Sequence, residues 1–136
     1  MPCTPPAAAG ARVLLDTTQA VGRLPVNASR FAYTACGGYK WLISPRGTAY
    51  FTINPTLIDD LTPLYAGWYA GDDPWYSVYG GPPRLAGDAH RFDVSPARRA
   101  WVAAAPAVRL LDQVGTQSPH RHALGLANWR RDRVTR

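Results

Sequence analysis

Two short apolar runs in the first quarter of the chain have the pattern of buried strands. Residues 12–16 (RVLLD) place three consecutive apolar residues before a carboxylate, and residues 31–35 (FAYTA) form a second such run. The intervening residues 17–30 are too many for a hairpin and suit a crossover connection. The pattern therefore predicts two parallel neighbouring strands in an α/β sheet.

Three further segments follow along the chain. Residues 47–53 (GTAYFTI) alternate small or polar residues with aromatic and β-branched residues, which predicts a third strand. Residues 54–65 predict a short helix with Asn54 as its N-cap and Pro55 as its first residue. Residues 67–88, rich in Gly, Pro, Trp, Tyr and Asp, have no clear period and predict a long aromatic loop.

A helical pattern opens at Ser95 and Pro96. Its apolar positions are spaced by three and four at Trp101, Ala104, Ala105, Val108 and Leu111. Pro106 interrupts the pattern, so we expect a kink or two abutting helices, and Gly115 is expected to end it. Residues 116–136 predict a last, arginine-rich helix from about Pro119 onward.

Composition favours one modest domain with a real core, because the chain has 136 residues and is 46% hydrophobic. It has no long apolar run and no signal-peptide pattern, so a soluble cytoplasmic protein without a membrane partner is expected. Cys3 and Cys36 are far apart and outside any CxxC pair, which argues against a disulfide framework or a thiolate metal site. The His120 and His122 pair lacks a third ligand, so no metal is expected.

The formal net charge of +6 raises the possibility of a nucleic-acid partner. The arginines are mostly scattered, however, and the one cluster is the tail at Arg130, Arg131, Arg133 and Arg136. A solvated or frayed C-terminus is the favoured explanation of this cluster. Lys40 is the one lysine of the chain.

Lys40 follows a Gly-Gly-Tyr turn and is flanked by Tyr39 and Trp41. Partial desolvation there would favour the neutral, nucleophilic amine, which is able to form a Schiff base. Asp16, at the end of the neighbouring strand, is an anion suited to a cationic heterocycle, and Gln19 lies three residues on. Spacing alone favours the alternative of an ordinary surface cation and an ordinary helix cap.

The strings VLLDTTQAVGRLPV and ACGGYKWLISPRGTAYF resemble the cofactor-binding core of class V, fold-type I pyridoxal-phosphate (PLP) enzymes. This group includes cysteine desulfurases, kynureninase-like lyases, epimerases and some aminotransferases. The resemblance implies an incomplete α/β large domain, a mainly parallel sheet flanked by helices, over residues 1–115. Residues 116–136 would then be the start of the linker or small C-terminal domain, or a frayed basic tail.

The resemblance also implies a role for each matching residue. Lys40 would carry the cofactor as a Schiff base and move protons at the Cα of an amino-acid substrate. Asp16 would pair with the pyridine nitrogen, and Gln19 would hydrogen-bond the phenolic oxygen. Tyr39 would donate to the phosphate, as in the kynureninase-like members.

Trp68 in GWYAG and Ser95 in RFDVSP match positions from which the partner subunit of a homodimer reaches the cofactor phosphate. Packing explains a tryptophan in an aromatic loop equally well, and a helix N-cap explains Ser95. Two departures disfavour desulfurase activity: Gly37 replaces the phosphate-binding serine or threonine, and Tyr39 replaces the usual histidine before the lysine.

The family's enzymes are several-fold longer than this chain. Their upstream phosphate turn and downstream carboxylate-binding arginine have no counterpart here, so a fragment is expected. The leading hypothesis is a PLP-dependent enzyme that acts at an amino acid Cα by transamination, elimination or epimerisation. The alternatives are a catalytically inactive remnant of such an enzyme and a small basic nucleic-acid-binding protein.

Overall fold

The computed structural model describes residues 10–79, 81 and 84–134; Cys3 and Arg136 lie outside this range. The strands are β1 (Leu14–Asp16), β2 (Tyr33–Gly37) and β3 (Ala49–Ile53), which form one sheet in the order β1-β2-β3. The α-helices are α1 (Pro74–Ser77), α2 (Arg98–Val114) and α3 (Gln117–Val134). Short 3-10 helices cover Ala28–Arg30, Pro55–Asp60, Trp68–Ala70 and Ala89–Phe92.

The sheet is mixed. Between β1 and β2, the Tyr33 N–H donates to the Val13 carbonyl at 3.1 Å, and the Thr17 N–H donates to the Ala35 carbonyl at 2.7 Å. The bonded positions advance in the same direction along both strands, so the pair is parallel. The parallel pairing predicted for these two strands is confirmed. On the other side of β2, Asn54 bonds Ala32 and Gly38 bonds Thr48, which makes β3 antiparallel. The expectation of a mainly parallel sheet is thus wrong for the described strands, because β3 returns after a short connection instead of a crossover.

The described residues divide into two compact units. Unit 1 comprises residues 10–15, 28–34 and 51–98, and unit 2 comprises residues 16–27, 35–50 and 99–134. Each strand contributes residues to both units, and each unit is described below by itself.

An aromatic cluster forms the centre of unit 1. The Tyr33 ring stacks on Phe51 with a centroid distance of 6.2 Å, and Phe92 meets Phe51 edge-on at 5.4 Å. The helix predicted after Asn54 is confirmed as a single 3-10 segment, Pro55–Asp60, with the Asn54 side chain accepting from the Thr56 N–H at 3.1 Å. Asparagine at the cap satisfies an N–H that the helix itself leaves without a partner.

The predicted aromatic loop of residues 67–88 carries more order than its sequence indicates. The 3-10 helix Trp68–Ala70 is followed by α1, for which the Asp73 side chain accepts from the N–H groups of Trp75 and Tyr76. An antiparallel bridge joins Gly71 to Leu85 and turns the segment back on itself. Helix capping and one bridge therefore order part of the segment that was expected to be an irregular loop. Neither feature produces a hydrophobic period in the sequence.

Unit 2 contains α3 and all of α2 except its first residue, Arg98. Helix α2 runs through Pro106 without interruption. Of the two alternatives expected at this proline, two abutting helices are therefore wrong, and a kink stays a prediction. The helix begins at Arg98, three residues after Ser95. Gly115 ends α2 as predicted, with φ of +70° and its N–H donating to the Leu111 carbonyl at 2.9 Å. The predicted last helix is confirmed as α3, which begins at Gln117.

Few large side chains are buried in the described residues, contrary to the expectation of a real core. The buried apolar residues are Tyr33, Cys36, Ala70, Ala86 and Ala104, three of which are alanines. By contrast, Leu14 on β1 is 61% exposed and Trp101 on α2 is 38% exposed. The three strands are short, so their sheet offers too little surface to cover the large apolar side chains of the described residues. None of the described helices has both the length and the hydropathy needed to cross a bilayer.

Candidate functional site

Lys40 lies on a loop that is closed at its base by backbone hydrogen bonds. The Gly38 N–H donates to the Thr48 carbonyl and the Ser44 N–H donates to the Gly38 carbonyl, each at 2.9 Å. The Thr48 hydroxyl adds a bond to the Pro45 carbonyl at 2.8 Å. A Cβ at position 38 would collide with the Thr48 hydroxyl, so only glycine lets the two ends of the loop approach this closely.

The tip of this loop is a tight turn beginning at Lys40. The Lys40 carbonyl accepts from the Ile43 N–H at 3.0 Å, and Ile43 has φ of +47°, a conformation that β-branched residues rarely adopt. The Lys40 side chain is exposed in the described chain. The desolvation expected from its aromatic neighbours is therefore wrong: Tyr39 and Trp41 flank Lys40 without covering it, and both are themselves exposed.

Two arginines pack on those aromatic rings. The Arg46 guanidinium carbon lies 4.5 Å from the centroid of the Tyr39 ring, and the Lys40 Nζ lies 5.5 Å from the same centroid. Arg23 lies 4.8 Å from the centroid of the Trp41 ring. These cation–π contacts hold three positive charges beside the turn, an environment that suits an anionic ligand.

Asp16 ends β1 with a local turn of its own. Its carboxylate accepts from the Thr18 N–H at 2.8 Å, the bond of an Asx turn. The Thr18 hydroxyl, followed by the Thr18 N–H, lowers the pKa of the Asp16 carboxyl from its ordinary value of 3.8. Asp16 is thus an exposed carboxylate that is ionised at neutral pH, as required of a partner for a cationic ring nitrogen.

Thr18 connects Asp16 to the segment that carries the lysine. Its hydroxyl oxygen accepts from the Gly37 N–H at 2.9 Å, three residues before Lys40. The preceding residue, Thr17, is buried, and its N–H and hydroxyl both donate to the Ala35 carbonyl, at 2.7 and 3.0 Å. The structure therefore brings Asp16 and the lysine loop together at the carboxyl ends of two parallel strands, where α/β sheets bind ligands.

Gln19 is exposed on the segment that follows Thr18. Its backbone carbonyl accepts from the Arg23 Nε at 3.3 Å, and the Gln19 side-chain amide takes no part in this bond. The predicted bond from Gln19 to a cofactor oxygen stays a prediction.

Trp68 and Ser95 belong to unit 1, where their segments lie against each other. The Gly67 N–H donates to the Asp93 carbonyl at 2.8 Å, and a Cβ on Gly67 would lie 2.6 Å from the Ser95 nitrogen. The Trp68 ring contacts Tyr69 and Trp75, with centroid distances of 4.1 and 6.0 Å. Ser95 is exposed and does not cap α2, so the N-cap explanation of this serine is wrong.

The sequence pointed to neither Thr18 nor Arg46 as a site residue. For Thr18 the available signal was its place two residues after an Asp at the end of a strand, a position that favours an Asx turn. For Arg46 there was none beyond its place in a Pro-Arg-Gly turn. Its contact with Tyr39 depends on how the loop folds back on itself.

Comparisons with known proteins agree on one family. The profile of the family "Aminotransferase class-V" matches residues 6–136. The chain is 27% identical over 116 residues to the uncharacterised aminotransferase YcbU of Bacillus subtilis (strain 168), covering 83% of this chain. The apo cysteine desulfurase of Thermococcus onnurineus NA1 has a similar fold, with a TM-score of 0.66 and 22% identity over 81% of this chain.

A second solved structure is the cystine C-S lyase C-DES in complex with its product cysteine persulfide. It has a TM-score of 0.63 and 31% identity over 77% of this chain. A variant of C-DES, with glycine covalently linked to its PLP cofactor, has a TM-score of 0.65 and 30% identity. The chain spans 30% of the length of YcbU and 27–28% of these solved chains. With nearly its whole length matched by one family profile, the chain belongs to the aminotransferase class-V family.

Proposed function

We propose that this chain supplies the cofactor-lysine portion of a PLP-dependent enzyme that acts at the Cα of an amino acid, with Lys40 as the residue to which the cofactor attaches. The observation that carries the proposal is the link through Thr18, which joins the Asp16 carboxylate to the segment leading to the single lysine. Membership of the family supports it independently.

The residues present fit the chemistry of PLP. When bound, PLP supplies an electron sink for charge that develops at the amino acid Cα, provided that its ring nitrogen stays protonated. An ionised carboxylate keeps such a nitrogen protonated, and the lowered pKa of Asp16 holds this side chain in that form. A matching cofactor is also present in a relative, since the C-DES variant carries PLP.

Lys40 has two tasks in this proposal. As the nucleophile it attaches the cofactor covalently, and its exposed position at the tip of the loop gives the amine access to an aldehyde. As acid and base it accepts and returns a proton at the substrate Cα. The cation–π contact with Tyr39 and the turn closed by Ile43 restrict where the amine lies between those steps.

The remaining residues would bind and orient. Tyr39 donates to the phosphate, and the charge of Arg46 on the same ring favours that dianion. Gln19 bonds the phenolic oxygen. Trp68 and Ser95 act on the phosphate from the partner subunit of a homodimer. Their joint position in unit 1, with Gly67 packed on Ser95, supports a common role.

The single lysine makes a sharp test. Incubation with PLP, reduction with borohydride and peptide mapping should place a phosphopyridoxyl group on Lys40. The Lys40→Arg variant keeps the charge and is the matched control, expected to lose this label while the N-terminal amine reacts as before. Substitution of Asp16 by Asn should lower the labelling of Lys40 at limiting PLP. A label confined to the N-terminal amine of the unsubstituted chain would contradict the proposal.

A further inference from the structure

Thr18 makes two contacts in the candidate site, one through its backbone and one through its side chain. Its N–H donates to the Asp16 carboxylate at 2.8 Å, and its hydroxyl oxygen accepts from the Gly37 N–H at 2.9 Å. The first contact orients the carboxylate at the end of β1. The second fixes the backbone at the end of β2, three residues before Lys40. One residue therefore touches both halves of the site.

The Thr18 hydroxyl acts as an acceptor in its contact with Gly37. A threonine hydroxyl has one proton to donate and two lone pairs to accept with. Because the Gly37 N–H supplies the proton of their mutual bond, the Thr18 hydroxyl keeps its own proton and remains able to donate it. The hydroxyl lowers the pKa of the Asp16 carboxyl more than any other group does, and the Thr18 N–H that bonds this carboxylate lowers it further.

The backbone hydrogen bonds that pair β1 with β2 are made by residues other than Thr18. The Tyr33 N–H bond to Val13 provides part of that pairing, and Thr17 provides a further part, because its N–H and its hydroxyl both donate to the Ala35 carbonyl. Thr17 is 1% exposed, whereas Thr18 is only partly buried. The two adjacent threonines thus have separate tasks, and the Thr18 hydroxyl is available for the site.

We propose that Thr18 is a positioning residue, which couples the orientation of the Asp16 carboxylate to the position of the Gly37–Lys40 segment through its N–H and its hydroxyl. The purpose of this coupling rests on the proposed function. Asp16 would hold the ring nitrogen of PLP and Lys40 its aldehyde carbon, and both atoms belong to one rigid molecule. A shift of either side chain alone would strain the attachment at Lys40.

The test compares Thr18→Val, which keeps the shape and loses the oxygen, with Thr18→Ser, which keeps the oxygen. In the full chain without cofactor, NMR titration of the Asp16 carboxyl and hydrogen exchange of the Gly37 amide report the two contacts. We expect Thr18→Val to raise the pKa of Asp16 and to accelerate exchange at Gly37 about two- to tenfold. Thr18→Ser should restore both values. Thr52→Val, which removes a hydroxyl bonded to Thr34 at 2.7 Å, should change neither.

With cofactor, Thr18→Val should reduce borohydride-trapped PLP on Lys40 several-fold at limiting PLP, and Thr18→Ser should restore it. Unchanged values for Asp16 and Gly37 in Thr18→Val would overturn the inference, as would an unchanged yield on Lys40. Failure of the proposed function has a different signature, namely no label on Lys40 in the unsubstituted chain. The apo measurements remain decisive for the coupling in that case.

Discussion

The Arg46 guanidinium carbon lies 4.5 Å from the centroid of the Tyr39 ring, directly beside the lysine of the candidate site. Exposed cation–π pairs contribute about 0.5–1 kcal/mol, enough to measure by a double-mutant cycle. We expect Arg46→Ala and Tyr39→Leu to show a coupling free energy of that size in urea unfolding. Arg46→Ala combined with Trp129→Leu is the control, because Trp129 packs on Arg133. A coupling free energy near zero for Arg46 and Tyr39 would show that their contact contributes nothing to the free energy of unfolding.

Gly22 allows a close backbone approach. It has φ of +98°, and a Cβ there would lie 2.5 Å from the Trp41 carbonyl oxygen. Gly22→Ala is therefore expected to lower the free energy of unfolding by more than about 1 kcal/mol, since strain and collision add. Gly125→Ala on α3 has open space and should stabilise by about 0.5–1 kcal/mol. Gly115→Ala, with a positive φ and open space, should fall between them; equal unfolding midpoints for all three variants would contradict the collision at Gly22.

Cys36 is a buried thiol in β2. Burial raises its pKa above the ordinary value of 9.0. The hydrogen bond with Thr17 opposes this with a smaller effect, and the nearby Asp16 charge adds a still smaller increase. Less thiolate means slower alkylation, so iodoacetamide at pH 8 should modify Cys36 at least about tenfold more slowly in buffer than in concentrated urea. Peptide mapping separates this label from that on Cys3. Equal rates in the two solvents would mean that β2 does not protect the thiol.

Asp72 and Arg84 form an ion pair across the bridge in unit 1. The hydrogen bond from Arg84 lowers the pKa of Asp72 from 3.8, so the folded state binds this proton less tightly than the unfolded state. The resulting stabilisation is present above about pH 4 and is lost as the pH falls through the folded pKa. Asp72→Asn should therefore lower the urea midpoint slightly at pH 7 and not at all well below pH 3.

Arg84→Gln is the matched control for this pH dependence and should reproduce it, while 1 M salt should reduce both effects because the pair is largely exposed. A deficit of Asp72→Asn that persists undiminished at low pH would point to a cause other than the ion pair, such as loss of the Asp73 N–H bond to Asp72.

The sequence by itself determined the local features of this protein. The apolar runs defined β1 and β2 and their parallel pairing, Asn54 identified a capped turn, and Gly115 identified the end of α2. Each of these depends on neighbours within a few residues, or on a connection too long for a hairpin, so the pattern of the chain is sufficient. The motif around Asp16 and Lys40 likewise indicated the family that the comparisons show.

Tertiary structure alone decided the antiparallel return of β3, the continuous course of α2 through Pro106 and the exposure of Lys40. It also decided that the Thr18 hydroxyl accepts from the N–H of Gly37, which lies 19 positions further along the chain. No period or cap encodes such contacts, because they depend on which segments meet once the strands have paired. The sequence therefore supplied the predicted chemical groups of the candidate site, and the pairing of β1 with β2 decided how the Asp16 segment and the lysine segment are joined.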